Sequence, residues 1–153
     1  MVNCLEKVPT RDDCWNYPAR LVRVVDGDTV DVVIDLGFDI HFATRVRLYG
    51  MDTPESRTRN KDEKVRGYMS KDFLEEWMEK DDVIIRTRRD KKGKFGRVLG
   101  EMIVRGENVN KLMIKECIAV EYYGQSKDDI EKQHMLNRQV LIEKRLFNPD
   151  EVK

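Results

Sequence analysis

From Thr29 the chain alternates, with Val30, Val32, Ile34 and Leu36 on one side and Asp31, Val33 and Asp35 on the other. A period of two marks a half-buried strand, and it returns at Thr44, Val46 and Leu48 against Arg45, Arg47 and Tyr49. Strands are predicted near 18–26, 28–36, 40–50, 82–89 and 95–105. Between the third and fourth of these the period changes. Val65, Met69, Phe73 and Trp77, with Leu74 and Met78, recur at helical spacing over about 60–80, so this stripe reads as core and not as a binding surface. Asn108 or Asn110 is placed to begin a second helix through Leu112, Met113 and Ile114. Ser126-Lys127-Asp128-Asp129 has the form of an N-cap with first-turn acids for a third, running to about Arg145 and ended by Asn148-Pro149. No linker, repeat or low-complexity segment interrupts this order. It divides into an extension over 1–17, whose Trp15 and Tyr17 are expected to pack against the strands, a domain over 18–147 and a tail over 148–153.

Two of the strand ends carry acids. Asp28 falls on the apolar face at the start of its strand, where it costs desolvation unless something positive compensates it, and a bound cation would do so. Asp26-Gly27-Asp28-Thr29 is equally good hairpin chemistry, with Gly27 supplying a positive-φ position, and this segment alone leaves both readings open. Asp52-Thr53-Pro54-Glu55 shifts the weight toward chemistry. It closes the third strand, and Pro54 stops further ladder pairing while fixing the backbone beside two acids. In a regular strand Arg47 and Asp52 would face opposite sides, so Gly50 is the expected place for a bend that brings them together.

Taken in order, Asp26-Gly27-Asp28-Thr29, Arg47-Leu48-Tyr49-Gly50-Met51-Asp52-Thr53-Pro54-Glu55 and Phe95-Gly96-Arg97 resemble the staphylococcal nuclease (thermonuclease) family over roughly residues 18–147. The resemblance implies an α+β fold, a five-stranded OB-fold β-barrel with three α-helices, and a calcium-dependent nuclease acting on DNA and RNA. It implies that Asp28 and Asp52 ligate Ca2+ through carboxylates and Thr53 through its backbone carbonyl. It also makes Glu55 the general-base candidate and Arg47 and Arg97 the phosphate-binding pair. The residue types suit that chemistry on their own terms. Calcium prefers oxygen ligands, and no His or Cys among the matched positions points to zinc. A planar guanidinium can hold two non-bridging phosphate oxygens at once, as a lysine cannot. With no metal bound, three acids held close are expected to repel one another. Gly93 stands where many members have an acid, and Leu146-Phe147 matches the family's aromatic closing imperfectly, so different C-terminal packing is expected.

Composition adds bounds. The 153 residues make one domain's worth of chain, and 29 basic residues balance 29 acidic ones, so global charge does not advertise a nucleic-acid partner. The distribution does. Between Arg86 and Arg97 seven basic residues, Lys91, Lys92 and Lys94 among them, stand against the single Asp90. Such a run is a solvated loop or, ending in Gly96-Arg97, one wall of a substrate groove. Tyr122 and Tyr123 are candidates for stacking on a base, with ordinary packing as the other reading. His41 and His134 match nothing catalytic and read as surface or satisfied histidines. Cys4, Cys14 and Cys117 lack a Cys-x-x-Cys spacing, and no apolar stretch has signal-peptide or membrane-span length, which together suggest a reduced, cytoplasmic protein. A non-catalytic OB-fold domain that binds single strands or serves as a scaffold is the competing class. Retention of every matched acid and arginine favours the enzyme.

Overall fold

The computed structural model describes residues 14–80, 82–88 and 98–153. The alternation is realised most cleanly in β2 (Thr29–Asp35), where Val30, Val32 and Ile34 are buried and the residues between them are not. β2 pairs antiparallel with β1 (Cys14–Asp26) on one side and β3 (His41–Leu48) on the other. β1 continues to β5 (Val83–Arg88) and β5 to β6 (Val98–Val104), again antiparallel. β3 and β6 then meet in parallel through Val46 with Val98, Arg47 with Leu99 and Leu48 with Gly100, which closes the sheet into a barrel. Among the described residues the fold is therefore α+β, a closed five-stranded OB-like barrel with three helices, α1 (Lys61–Met78), α2 (Val109–Lys115) and α3 (Lys127–Glu143). Its core joins Val30, Val46, Leu48, Ile85, Met102 and Val104 of the barrel to Leu74, Val109, Met113 and Leu141 of the helices.

Several boundaries differ from those read in the sequence. Residues 14–17 belong to the barrel and not to an extension, because Cys14 to Tyr17 pair with Arg88 to Ile85. Tyr17 packs against the core, whereas Trp15 is 46% exposed. At the other end Phe147 is buried and Leu146 exposed, Asn148 caps a short 3-10 turn over Pro149–Glu151, and Val152 packs on the core, so 148–153 is no free tail. Of the two candidate caps for α2, Asn108 accepts from the Lys111 amide. Asn110 is buried instead, donating to the Tyr49 and Gly100 carbonyls and accepting from the Met102 amide. Ser126 caps α3 as expected.

The buried stripe of α1 is rotated from the predicted one. Met69, Phe73 and Trp77 are only partly buried and Val65 is exposed, while Arg66, Gly67 and Ser70 are buried with Leu74 and Met78. Small residues carry little hydrophobic signal, yet they let a helix approach a neighbouring backbone closely. Three strands too short for periodicity complete the fold: β4 (Met51–Asp52), β7 (Glu107–Asn108) and β8 (Val120–Glu121). β4 and β8 form a two-stranded sheet of their own.

Candidate active site

The β1–β2 hairpin turns at Gly27-Asp28, so the segment is both the turn and the bearer of an acid. The expected role of Gly27 is corrected: it is not among the positive-φ residues. It is needed for closeness, since a Cβ there would lie 2.7 Å from the Ser70 Cβ and 2.9 Å from the Thr53 Oγ1. Asp28 next to it is buried, and its carboxylate accepts from the Thr29 hydroxyl at 2.9 Å and the Thr53 amide at 3.4 Å. The second acid comes from the end of β3. There Gly50 adopts φ +74°, the bend anticipated from the sequence, and β4 begins at once. Pairing of Asp52 with Val120 of β8 holds its backbone.

The bend allows Arg47 to reach both acids. One guanidinium nitrogen pairs with the Asp28 Oδ2 and the other with the Asp52 Oδ1 at 3.0 Å. Burial acts to lower the Arg47 pKa, but the charge of Asp28, and then that of Asp52, outweighs it and holds the group above its ordinary value. For Asp52 burial acts upward, while the His134 hydrogen bond and the Arg47 charge win and keep its carboxyl below the usual range. The expected mutual repulsion of the acids is thus relieved by the protein's own cation.

Glu55 lies beyond Pro54 with its side chain exposed. Its pKa is raised by partial desolvation, then by the charges of Asp28, Asp26, Asp52 and Glu63. The backbone at Glu55 is held by α1. The Glu55 amide donates to the Glu63 carboxylate at 3.3 Å, and a Cβ on Gly67 would come within 2.7 Å of the Glu55 carbonyl carbon and the Ser56 nitrogen. Ser56 in turn donates its hydroxyl to Asp26. Ser70 anchors the same face of α1 by donating to the Ile118 carbonyl at 2.6 Å.

Of the residues singled out in the sequence, the structure brings Asp28, Arg47, Asp52 and Thr53 into direct contact and sets Glu55 beside them. Tyr122 and Tyr123 flank the bend. The Tyr122 amide donates to the Gly50 carbonyl at 3.0 Å, and the Tyr123 ring meets Tyr49 edge-on at 5.8 Å between centroids. Arg97, Lys91, Lys92 and Lys94 lie outside the described residues. Of the remaining basic run, Arg86 and Arg88 both face buried Glu101, at 3.7 and 3.6 Å, and Arg88 lies over the Tyr49 ring at 4.6 Å. These two are therefore engaged within the fold and not free cations of a groove wall.

His134, one residue that the sequence reading set aside, reaches the site. It is buried on α3, and its Nε2 lies 2.8 Å from the Asp52 Oδ2. An ionised carboxylate only accepts, so the imidazole donates. Asp52 is thereby engaged on both oxygens.

Whether this set suits a metal can be asked of its donors. Among the described residues no three His, Cys, Asp or Glu side chains come together as a metal group. The donors envisaged are two carboxylates and a carbonyl, and a cationic group, Arg47, already bridges those two carboxylates. Two carboxylates and a carbonyl are the oxygen donors a hard cation takes. With one arginine against two acids a negative charge is left over for it to neutralise, although it would have to share both acids with Arg47.

The sequence profile of a family described as "Staphylococcal nuclease homologue" matches residues 45–144. The chain belongs to this family. An Escherichia coli relative named "Uncharacterized endonuclease" is 30% identical over 119 residues, covering 76% of this chain and 69% of the relative. The "Thermonuclease" of Staphylococcus intermedius is 34% identical over 97 residues, 63% of this chain and 55% of that protein. That of Staphylococcus hyicus is 28% identical over 100 residues, 65% and 56% of the two chains. No helix among the described residues is long and apolar enough to cross a membrane.

Proposed function

We propose that this protein is a nuclease, a calcium-dependent hydrolase of phosphodiester bonds that acts on DNA and RNA. Membership of the nuclease family and the endonuclease and thermonuclease names of relatives support the hydrolase reading. The observation that carries it here is Arg47 bridging Asp28 and Asp52 with Glu55 beside them. In the proposed reaction the Arg47 guanidinium donates to two non-bridging oxygens of the scissile phosphate, where negative charge gathers as the bond to the attacking oxygen forms. Arg97 is the second donor in this scheme. Glu55 orients a water in line with the leaving oxygen and takes its proton. Asp28, Asp52 and the Thr53 carbonyl would hold calcium, which when bound supplies a hard positive charge against the phosphoryl oxygens. Lys91, Lys92 and Lys94 contribute screened attraction for the strand, and Tyr122 and Tyr123 offer aromatic faces for a base.

The test is incubation with single-stranded DNA in calcium or in EGTA, with Glu55→Gln as control. Cleavage that needs calcium and falls away in the variant is the expected result. Full cleavage in EGTA would remove the metal from the reading. Binding without cleavage by the wild-type protein would replace the enzyme with a single-strand-binding OB domain.

A further inference from the structure

His134 is the one buried titratable side chain on α3 that points to the acids, and the reaction as proposed gives it no task. Its surroundings are built. Along the same helix face, Asn137 donates to the Ala119 carbonyl at 2.9 Å and Arg138 donates to the Asp62 carboxylate of α1 at 2.9 Å. Spacings of three and four residues put His134, Asn137 and Arg138 side by side. The three contacts tie the helix to β4, to the approach to β8 and to α1 respectively. The turn of α3 that carries His134 is therefore fixed by two contacts besides the one His134 makes to Asp52.

The consequence falls on Asp52. A carboxylate rotates readily about its last torsion, whose profile is broad. Here His134 takes the Oδ2 and Arg47 faces the Oδ1, so the plane of the group is fixed and the Oδ1 is aimed at the cationic centre. We infer that His134 is a positioning residue, a buried donor that locks Asp52 with one chosen oxygen facing the calcium and phosphate position. The inference rests on the reading of Asp52 as a calcium ligand. It differs from that reading in assigning the metal's affinity partly to a residue on α3 that touches neither metal nor substrate. Partners of this kind on a ligand typically govern affinity by 10- to 100-fold.

The test has two arms on the full chain. In the first, calcium chloride is titrated calorimetrically into wild type, His134→Ala, His134→Gln and Asn137→Ala. His134→Ala is expected to weaken calcium binding by about tenfold or more. His134→Gln, which keeps a side-chain N–H donor, recovers most of that loss. Asn137→Ala, which loosens the same helix without touching Asp52, stays within about twofold of wild type. In the second arm the metal-free crystal structure of His134→Ala is determined, and Asp52 is expected with its carboxylate turned or in more than one position. Should Asn137→Ala weaken calcium as much as His134→Ala, or should Asp52 stand unmoved in that crystal, the positioning role is overturned and His134 is a packing residue. If wild type takes up no calcium, the metal reading of the site falls, and the placement of Asp52 in the variant crystal still decides for or against His134.

Discussion

Two arginine–aspartate clusters share strand β3, with Arg45 in one and Arg47 in the other, and they are built in opposite senses. On the outer wall of the barrel one acid, Asp31, is held between two arginines, Arg23 at 2.7 Å and Arg45 at 2.8 Å, both largely exposed. At the end of the barrel one arginine, Arg47, is held between two acids and is only 22% exposed. The outer cluster has a surplus of positive charge that water screens, so it contributes little. The inner one has a surplus of negative charge in a place where screening is weak, and that surplus is what a hard cation would neutralise. Identical residue types thus give a surface brace in one place and the proposed reactive centre in the other. Burial and stoichiometry make the difference.

The comparison breaks most visibly at the arginines. Arg47→Lys keeps the charge and loses the two-pronged donor, so kcat/KM on single-stranded DNA with calcium is expected to fall by about 10²-fold or more. Arg45→Lys in the same assay is expected to stay within about twofold. Equal effects would show that the inner arginine supplies only diffuse charge.

At the acids, the metal-free state sharpens the contrast. Asp28→Asn removes one partner from a half-buried guanidinium, and thermal melts in EGTA should show a loss of about 1–3 kcal/mol. This reverses the sign expected from acid repulsion alone, because Arg47 already relieves that repulsion. A stabilised variant would mean that the acids still repel despite the arginine. Gly67→Ala tests the mounting and not the charge. Its Cβ must displace the Glu55–Ser56 backbone, at a cost of about 1–3 kcal/mol together with lost activity. Retained activity at that stability would show that Glu55 does not depend on its seat against α1.

The smallest effect belongs to the outer cluster. Hydrogen bonds from Arg45 and then Arg23 lower the Asp31 pKa from 3.8 to about 2. The folded value lies below the unfolded one, so this contribution is present above pH about 4 and is lost as pH falls through about 2. Exposure limits it to under about 1 kcal/mol, and melts of wild type and Asp31→Asn should converge across that window.

What the sequence disclosed follows from distance along the chain. Asp28, Arg47 and Asp52 lie at strand ends whose alternation is plain, and Gly50 between two of them marks the bend, so their meeting was legible from local pattern. The strands of the barrel were legible for the same reason, whereas their closure through β3 and β6 was implied only by the family resemblance. The seat of Glu55 was not, because Gly67 and Ser70 are small and the apolar count placed the buried face of α1 on the neighbouring stripe. β4 and β8 are two residues each, too short for any period to declare them. His134 was hidden most deeply. Its helix has a polar face throughout the relevant turns, and nothing local ties a histidine on α3 to an acid after β3.

The His134–Asp52 contact spans 82 positions, whereas the Thr53–Asp28 contact spans 25. During synthesis the acids and Arg47 leave the ribosome early and together, while α3 follows much later. A growing chain therefore carries both acids and Arg47 for some time before the group that pairs with the Asp52 Oδ2 exists. Completion of the site is tied to completion of the helix, so a nascent chain that already holds its acids and Arg47 is still without the lock on one of them.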